Sequence, residues 1–385
     1  MLRFSIHYFL LFAMIAAAGP YFQLLLRARG FDKAQIGLLL GLAAGAGLLG
    51  PLLAGHLADR LGKRRTVLTI CLVAYAGLFV PIAMTSSFAV AVVLVLGIGL
   101  VARTSVPLTD AMAASELANP AEQYGPTRVW GSIGYVAALV VIAAFSLVDE
   151  DSSASIMRAV LATVGLAIIS SQLLPDRHRP DHVSAIPKGT PAGFDAVFWL
   201  FVAAAACHRF AMTSHYSFFV LFLRESMGME KAAWTWAIGA TVEIPLMFFS
   251  GVLIKRFGIV RILMLAMLLV SVRLLVYSAA GTVGPVLAVQ LVHGLTFATY
   301  HAATIEFVRR KIAAPRRAWA MALYMSLGGA LPGLVASSLG GYISDRFGYA
   351  TMYLSYAFVP LIGVGLLAFG LRRFGSVPGA PEESG

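Results

Sequence analysis

The stretch Gly55-His56-Leu57-Ala58-Asp59-Arg60-Leu61-Gly62-Lys63-Arg64-Arg65 lies between two long apolar runs, residues 35–54 and 66–84. It holds one acid and a cluster of Lys and Arg. Each charge at a bilayer midplane costs about 2.5–3.5 kcal/mol on insertion scales, so this loop stays outside the hydrocarbon. Its basic excess assigns the face it marks to the cytoplasm. The flanking runs are each long enough to cross a bilayer, which takes about 20 apolar residues.

Composition agrees along the whole chain. Of its 385 residues 59% are apolar and only 12% charged, whereas a soluble domain carries about 25% charged residues. The net charge of +11 comes from short basic clusters between apolar runs. That is a membrane pattern and speaks against a nucleic-acid partner. Cys71 and Cys207 are the only cysteines and both sit inside apolar runs, so they read as small buried side chains. No metal-ligand spacing is present, and no G-x-x-x-x-G-K-[ST] phosphate cradle marks an ATP-driven pump. No cofactor is expected.

Working outward from the loop, twelve apolar stretches suit crossings: approximately 4–26, 35–54, 66–84, 88–112, 124–147, 154–174, 194–223, 232–252, 260–279, 285–308, 318–341 and 349–371. The first resembles a secretory signal in outline, but its apolar run is too long and eleven more follow, so it is expected to stay. Placing the N-terminus inside puts Arg60 to Arg65, Lys255 to Arg261, Arg309 to Arg317 and Arg372 and Arg373 on one face. The Lys/Arg bias then predicts both termini cytoplasmic and an even number of helices.

Only residues 175–193 form a long connection, rich in Pro, Asp, Arg and His and without apolar periodicity. It reads as a cytoplasmic linker between six-helix bundles at 1–174 and 194–373, with a tail at 374–385. Internal repetition supports that division. A shift of 196 residues lays Gly55, Asp59-Arg60-Leu61-Gly62 and Arg65 on Gly251, Lys255-Arg256-Phe257-Gly258 and Arg261. It also lays Asp110 on Glu306, and Gly37, Gly41 and Gly45 on Ala233, Ala237 and Thr241, a small-residue face in both halves.

The pattern G-x-L-A-D-R-x-G-x-R-R resembles the loop signature between the second and third helices of the major facilitator superfamily (MFS). The resemblance implies an all-α integral membrane protein: twelve transmembrane helices in two pseudo-symmetric halves, with a midplane cavity between them. It also implies a conformational role for Gly55, Asp59, Arg60, Gly62 and Arg65, with Asp59 latching the cytoplasmic side through its loop cations. Such a protein is a transporter and not an enzyme.

Ionisable residues inside the spans are costly, and each is a functional candidate. Arg103 and Asp110 are seven residues apart in the fourth span, and Arg128 follows in the fifth within Tyr124-Gly-Pro-Thr-Arg-Val-Trp-Gly-Ser-Ile-Gly-Tyr135. Asp110 and Arg128 suit a pair across neighbouring helices, binding substrate or only fixing the two helices. His208, Arg209 and His215 interrupt the seventh span. Glu243 lies near the middle of the eighth with no basic neighbour in sequence; it suits a proton carrier or a structural partner for Arg273 of the ninth. Gln290, His293, Phe297 and His301 form one stripe of the tenth span. Its two histidines are about 12 Å apart along a helix, too far for one metal ion.

The segment around Arg128 resembles lactose permease and related oligosaccharide:proton symporters. The resemblance implies that Asp110 and Arg128 bind substrate, with Trp130 and Tyr135 as the neighbouring aromatics and Tyr135 at the stacking position. Lactose permease has a carboxylate three residues after its helix-10 histidine; here Thr296 stands there, which throws the proton-coupling role on Glu243 with His293. The runs Pro20-Tyr-Phe, Arg128-Val-Trp-Gly-Ser-Ile-Gly, Glu243-Ile-Pro-Leu and Val292-His-Gly-Leu-Thr-Phe resemble the 3-phenylpropionate transporter branch, with nucleoside:proton symporters as near neighbours. The expectation is a monomeric multi-pass protein of the bacterial inner membrane, driven by the proton gradient. It would carry a small aromatic carboxylate on Arg103, Arg128, Arg273 and His293, with His208, Gln290 and His301 lining the site. A sugar or nucleoside symporter, an efflux carrier and a non-transporting sensor are the alternatives.

Overall fold

The computed structural model describes residues 1–176, 194–313 and 316–374. The expected linker from residue 177 on and the tail from 375 lie outside the described residues. Among the described residues every regular element is helical. The helices are α1 (Leu2–Ala28), α2 (Lys33–Leu61), α3 (Arg64–Met84), α4 (Phe88–Glu116), α5 (Glu122–Ala144), α6 (Ser153–Ser171), α7 (Ala196–Glu225), α8 (Ala233–Phe257), α9 (Ile259–Ala279) and α10 (Val283–Lys311). A last helical stretch, Trp319–Arg373, is interrupted at Gly348, whose φ of 81° and ψ of 165° are not helical. Both sides of that break exceed the length of a crossing. They are α11 (319–347) and α12 (349–373), which completes the twelve.

The helix ends follow local chemistry. Asp32 and Gln35 form a reciprocal capping box at the start of α2: the Gln35 N–H donates to Asp32 Oδ1 at 2.7 Å and the Asp32 N–H to Gln35 Oε1 at 3.1 Å. Gly62, at φ 63°, ends α2 in the left-handed region that favours glycine. Five spans are not continuous. α2 breaks at Gly47–Leu48, α4 at Arg103–Thr104, and α10 passes through a 3₁₀ turn at Val289–Val292 before its regular part, Ala298–Lys311. α11 passes through a π-helical turn at Ser326–Ala330, and α12 breaks at Phe358.

The chain divides into two compact units. One holds the described residues of Met1–Asp181 together with Ser217–Ala237 and Ser337–Asp345; the other holds His182–Tyr216, Ile238–Ala336 and Arg346–Gly385. In the first unit α1 is the central helix and packs on α5 and α6. Gly134 permits this: a Cβ there would lie 2.8 Å from the Cα of Phe9. The loop after α5 is tied to the turn at 224–233. The buried Glu150 carboxylate accepts the N–H groups of Ala232 and Ala233 at 3.0 Å and Arg224 Nη1 at 3.1 Å, while Arg224 Nη2 meets Asp151 at 2.5 Å. An anion on free amides at a helix start is a favourable place for a carboxylate. In the second unit Phe201 and Phe307 stack at 4.1 Å in an aromatic core with Phe198 and Tyr300.

Candidate functional site

Each unit carries one polar cluster inside its helices. In the first, the break in α4 turns Asp110 toward α1 and α5. Tyr8 of α1 donates its hydroxyl to Asp110 Oδ1 at 2.6 Å, and Arg128 Nε of α5 lies 3.9 Å from the same oxygen. Arg128 also lies over the Phe12 ring at 4.1 Å and the Tyr8 ring at 5.4 Å. Phe12 and Tyr8 are four apart, so one face of α1 supplies both rings. The Asp110 and Arg128 side chains remain 34% and 29% exposed.

The pairing of Asp110 with Arg128 agrees with the spacing in the sequence. Tyr8 and Phe12 were missed, since in an apolar run they read as packing. Two expected members sit elsewhere. The Arg103 side chain passes over Gly47, where a Cβ would lie 2.9 Å from its Nε; the break in α4 interrupts the common face with Asp110. Trp130 is 46% exposed, because residues two apart on a helix do not share a face. Tyr135, two turns beyond Arg128, is half-buried.

In the second unit Arg273 of α9 is 1% exposed. Its Nη1 donates to Thr296 Oγ1 at 2.8 Å, and its Nη2 donates to Tyr277 OH and Gln290 Oε1, both at 3.1 Å. Its Nη1 also meets Met212 Sδ at 3.9 Å; all four acceptors are neutral, its Nε has no hydrogen-bond partner, and among the described residues no carboxylate lies within ion-pair distance. Thr296 donates its own hydrogen to the His293 carbonyl at 2.9 Å, leaving its lone pairs for Arg273. Gln290 Nε2 donates to Tyr277 OH at 2.5 Å, so the Tyr277 hydrogen is left for His215 Nδ1 at 3.5 Å. Thr296, at the position where the sequence comparison expects an acid, therefore serves the arginine as a neutral acceptor.

Beside this network His293 Nε2 meets Glu243 Oε1 at 2.8 Å. The partner of Glu243 is thus a histidine from α10, and Arg273 is not its ion-pair partner. His293 stacks on Phe297, which in turn stacks on His301, at 5.9 and 6.2 Å. His208 bonds the Thr296 carbonyl at 3.1 Å and stacks on Tyr300 at 3.6 Å. Tyr277, four residues after Arg273 on the same face, was the missed member here.

The stretch 55–65, expected as a loop, is helical on both sides of a turn at Gly62–Lys63; its Asp59 is exposed but its Arg64 is buried, and Asp59 Oδ1 lies 3.7 Å from Arg64 Nη2. Arg65 instead joins Asp176, which also accepts the Thr66 N–H at 3.2 Å and so caps α3. In the second unit Asp195 caps α7 through the N–H groups of Val197 and Phe198 and meets Lys311 Nζ at 2.6 Å. No group of three or more His, Cys, Asp or Glu suited to a metal occurs among the described residues.

The model of the MFS_1 like family matches residues 1–355. The maltose permease of Geobacillus stearothermophilus is 28% identical over 375 residues, covering 96% of this chain and 94% of the relative. The probable 3-phenylpropionic acid transporter of Escherichia coli (strain K12) is 23% identical over 365 residues, covering 91% and 93%. Among solved structures, a mutant of the nucleoside transporter NupG superposes with a TM-score of 0.85 at 17% identity, covering 96% of this chain and 99% of the other. That likeness shows the MFS fold.

Proposed function

We propose that this chain, which belongs to the MFS_1 like family of membrane transporters, is a proton symporter taking up a small aromatic carboxylate, such as 3-phenylpropionate, by alternating access. In this reading it lies in a bacterial inner membrane with both termini cytoplasmic. One observation carries the choice of an anion: Arg273 is buried among neutral acceptors with no carboxylate of its own. A buried guanidinium left without a counter-charge costs several kcal/mol, and a substrate carboxylate brought near it offsets that cost. Tyr277, one of its acceptors, packs edge-on against Tyr353 with ring centroids 5.1 Å apart, an aromatic neighbourhood compatible with a substrate ring.

The proton is assigned to Glu243 and His293. A hydrogen bond of 2.8 Å between a carboxylate and an imidazole is an arrangement in which one proton is held at Nε2 or passed to Oε1. Loading that pair as the substrate anion arrives keeps the net charge of the occupied carrier unchanged.

A second reading, a sugar or nucleoside symporter, is favoured by Asp110. A carboxylate beside Arg128 offers an acceptor and a donor side by side, which suits hydroxyl groups better than a second carboxylate. The maltose permease and nucleoside transporter names among the relatives agree with it. Uptake of radiolabelled 3-phenylpropionate, maltose and uridine into proteoliposomes with an imposed inward proton gradient separates the two readings. Gradient-driven accumulation of 3-phenylpropionate alone is the expected result; accumulation of maltose or uridine alone transfers the function to the second reading.

A further inference from the structure

Helices α8 and α10 of the second unit cross on glycines. A Cβ on Gly294 would lie 2.9 Å from the Val242 carbonyl oxygen and 2.6 Å from Leu246 Cδ1, so the α10 backbone rests directly on α8. One turn before Glu243, Gly239 takes part in a different contact. A Cβ there would lie 3.0 Å from both Cγ and Cδ2 of the His293 ring and 3.3 Å from its Cβ. The imidazole therefore lies against the bare Cα of Gly239 and reaches Glu243, four residues on along the same face of α8.

The ring has nowhere to retreat. Phe297 stacks on it with planes 9° apart, the His215 ring of α7 lies at 5.4 Å, and the side chain is only 8% exposed. Nothing in the backbone demands glycine at 239, because its φ lies outside the left-handed region. Inside a helix glycine costs about 1 kcal/mol relative to alanine. Gly251 of the same helix meets nothing within 4 Å, so glycine is not a requirement of α8 in general. What needs the missing methyl at 239 is the imidazole.

The first unit contains the same device with another side chain. A Cβ on Gly99 of α4 would lie 3.0 Å from the Ala43 Cα of α2, and nearby the Arg103 side chain of α4 passes over Gly47 of α2. In both units, then, a second-helix glycine receives a polar side chain of the fourth helix. The two contacts are not in register under the 196-residue shift, which lays Gly239 on Ala43 and His293 on Gly97, so each belongs to its own unit.

From this geometry we infer that Gly239 is a positioning residue: it seats His293 so that Nε2 meets Glu243, and so serves the proton-coupling step. The inference rests on the reading of Glu243 and His293 as the proton pair. To bring an added Cβ to ordinary contact, near 3.5–4.0 Å, the ring must move by about half an ångström. A misplacement of about 1 Å can cost 100-fold in a positioned reaction.

The test reads the pair directly and needs no identified substrate. The titratable and charged groups around His293 are Glu243 of α8, His215 of α7 and Arg273 of α9. Full-length carrier labelled with ¹⁵N-histidine is titrated by NMR in lipid nanodiscs, with the His293 signal assigned from its loss in His293→Gln. Glu243→Gln gives the midpoint of His293 without its charged partner. Gly239→Ala is expected to move the His293 midpoint part of the way toward that limit, and Gly239→Val further; Gly251→Ala leaves it in place. An unmoved midpoint and Nε2 shift in Gly239→Ala overturn the seat, and do so even if the valine variant fails to fold. A moved signal combined with unchanged proton-driven accumulation of 3-phenylpropionate in Glu243→Gln overturns the coupling role instead and leaves only packing.

Discussion

In the first unit an arginine and an acid face one another: Arg128 Nε stands 3.9 Å from Asp110, both are about one-third exposed, and two aromatic rings flank the guanidinium. In the second unit they are parted. Glu243 is bonded to His293 at 2.8 Å, and Arg273 is buried on a threonine, a tyrosine and a glutamine. The difference lies in where charge is left over. Asp110 and Arg128 balance one another's charge at 3.9 Å. The second unit keeps one positive charge in a buried place without an acid, and beside it an acid bonded to a histidine. The first cluster is suited to orienting a polar ligand; the second responds to charge.

The largest effect that would break this comparison comes from Arg273→Lys. The guanidinium uses both terminal nitrogens on three oxygen acceptors, a fork that an ammonium does not reproduce. Each hydrogen bond to a charged group is worth about 1.5–3 kcal/mol, so losing one or two lowers uptake of 3-phenylpropionate about 100-fold. Initial uptake rates in membrane vesicles measure it, with protein level checked by immunoblot. Near-normal uptake in this variant would remove the charge argument. Next comes Glu243→Gln, a permanently neutral mimic. Its expected result is loss of accumulation against a gradient with substrate exchange retained, read by counterflow in the same vesicles. Accumulation surviving in this variant would pass the proton to Asp110 and equalise the two units.

How far this contrast was legible in the sequence depends on what hydropathy and spacing record. The twelve spans and the repeat follow from the charge of stretches such as 55–65, because a bilayer filters charge whatever the packing. Asp110 with Arg128 was readable because adjacent spans joined by a short connection must meet. Glu243 with His293 was not: fifty residues separate them, and the crossing on Gly239 and Gly294 that joins them depends on contacts no periodicity reports. The breaks at Gly47, Arg103 and Val289–Val292 were equally silent, since a kinked helix and a straight one have the same hydropathy. Tyr8, Phe12 and Tyr277 were hidden by type, as aromatic residues in a greasy span are expected to be packing.

A smaller effect sharpens the first half of the comparison. Arg128→Lys keeps the charge but gives up the flat contact with Phe12 at 4.1 Å. Cation–π contacts are worth about 0.5–2 kcal/mol, so a loss of about tenfold in apparent affinity is expected, against the 100-fold of Arg273→Lys. Uptake measured over a concentration series separates affinity from maximal rate. If Arg128→Lys proves the more damaging of the two, the anion is held in the first unit.

The smallest effect concerns the ends of the connection between the halves, where the units again differ. Asp176 caps α3 and meets Arg65, while Asp195 caps α7 and meets Lys311. For Asp195 partial burial alone would raise the carboxyl pKa. The hydrogen bond from Lys311 and the N–H groups of Phe198 and Val197 together outweigh it and hold the group below its ordinary 3.8. A carboxyl depressed in the folded state adds stability that is complete above the unfolded value and disappears as pH falls through the folded one. The side chain is half exposed, so solvent screening keeps the contribution small. Asp195→Asn is accordingly expected to lower the apparent melting temperature slightly at pH 7, and the gap to the parent protein should close as pH falls below about 4. Thermal unfolding followed by intrinsic fluorescence at pH 7, 5 and 3.5 reads that gap. The asparagine amide oxygen can still accept the Val197 and Phe198 bonds, so the absence of any gap at pH 7 would mean that Asp195 acts through cap geometry alone, and a gap that stays constant over this range would mean that its loss does not depend on the carboxylate charge.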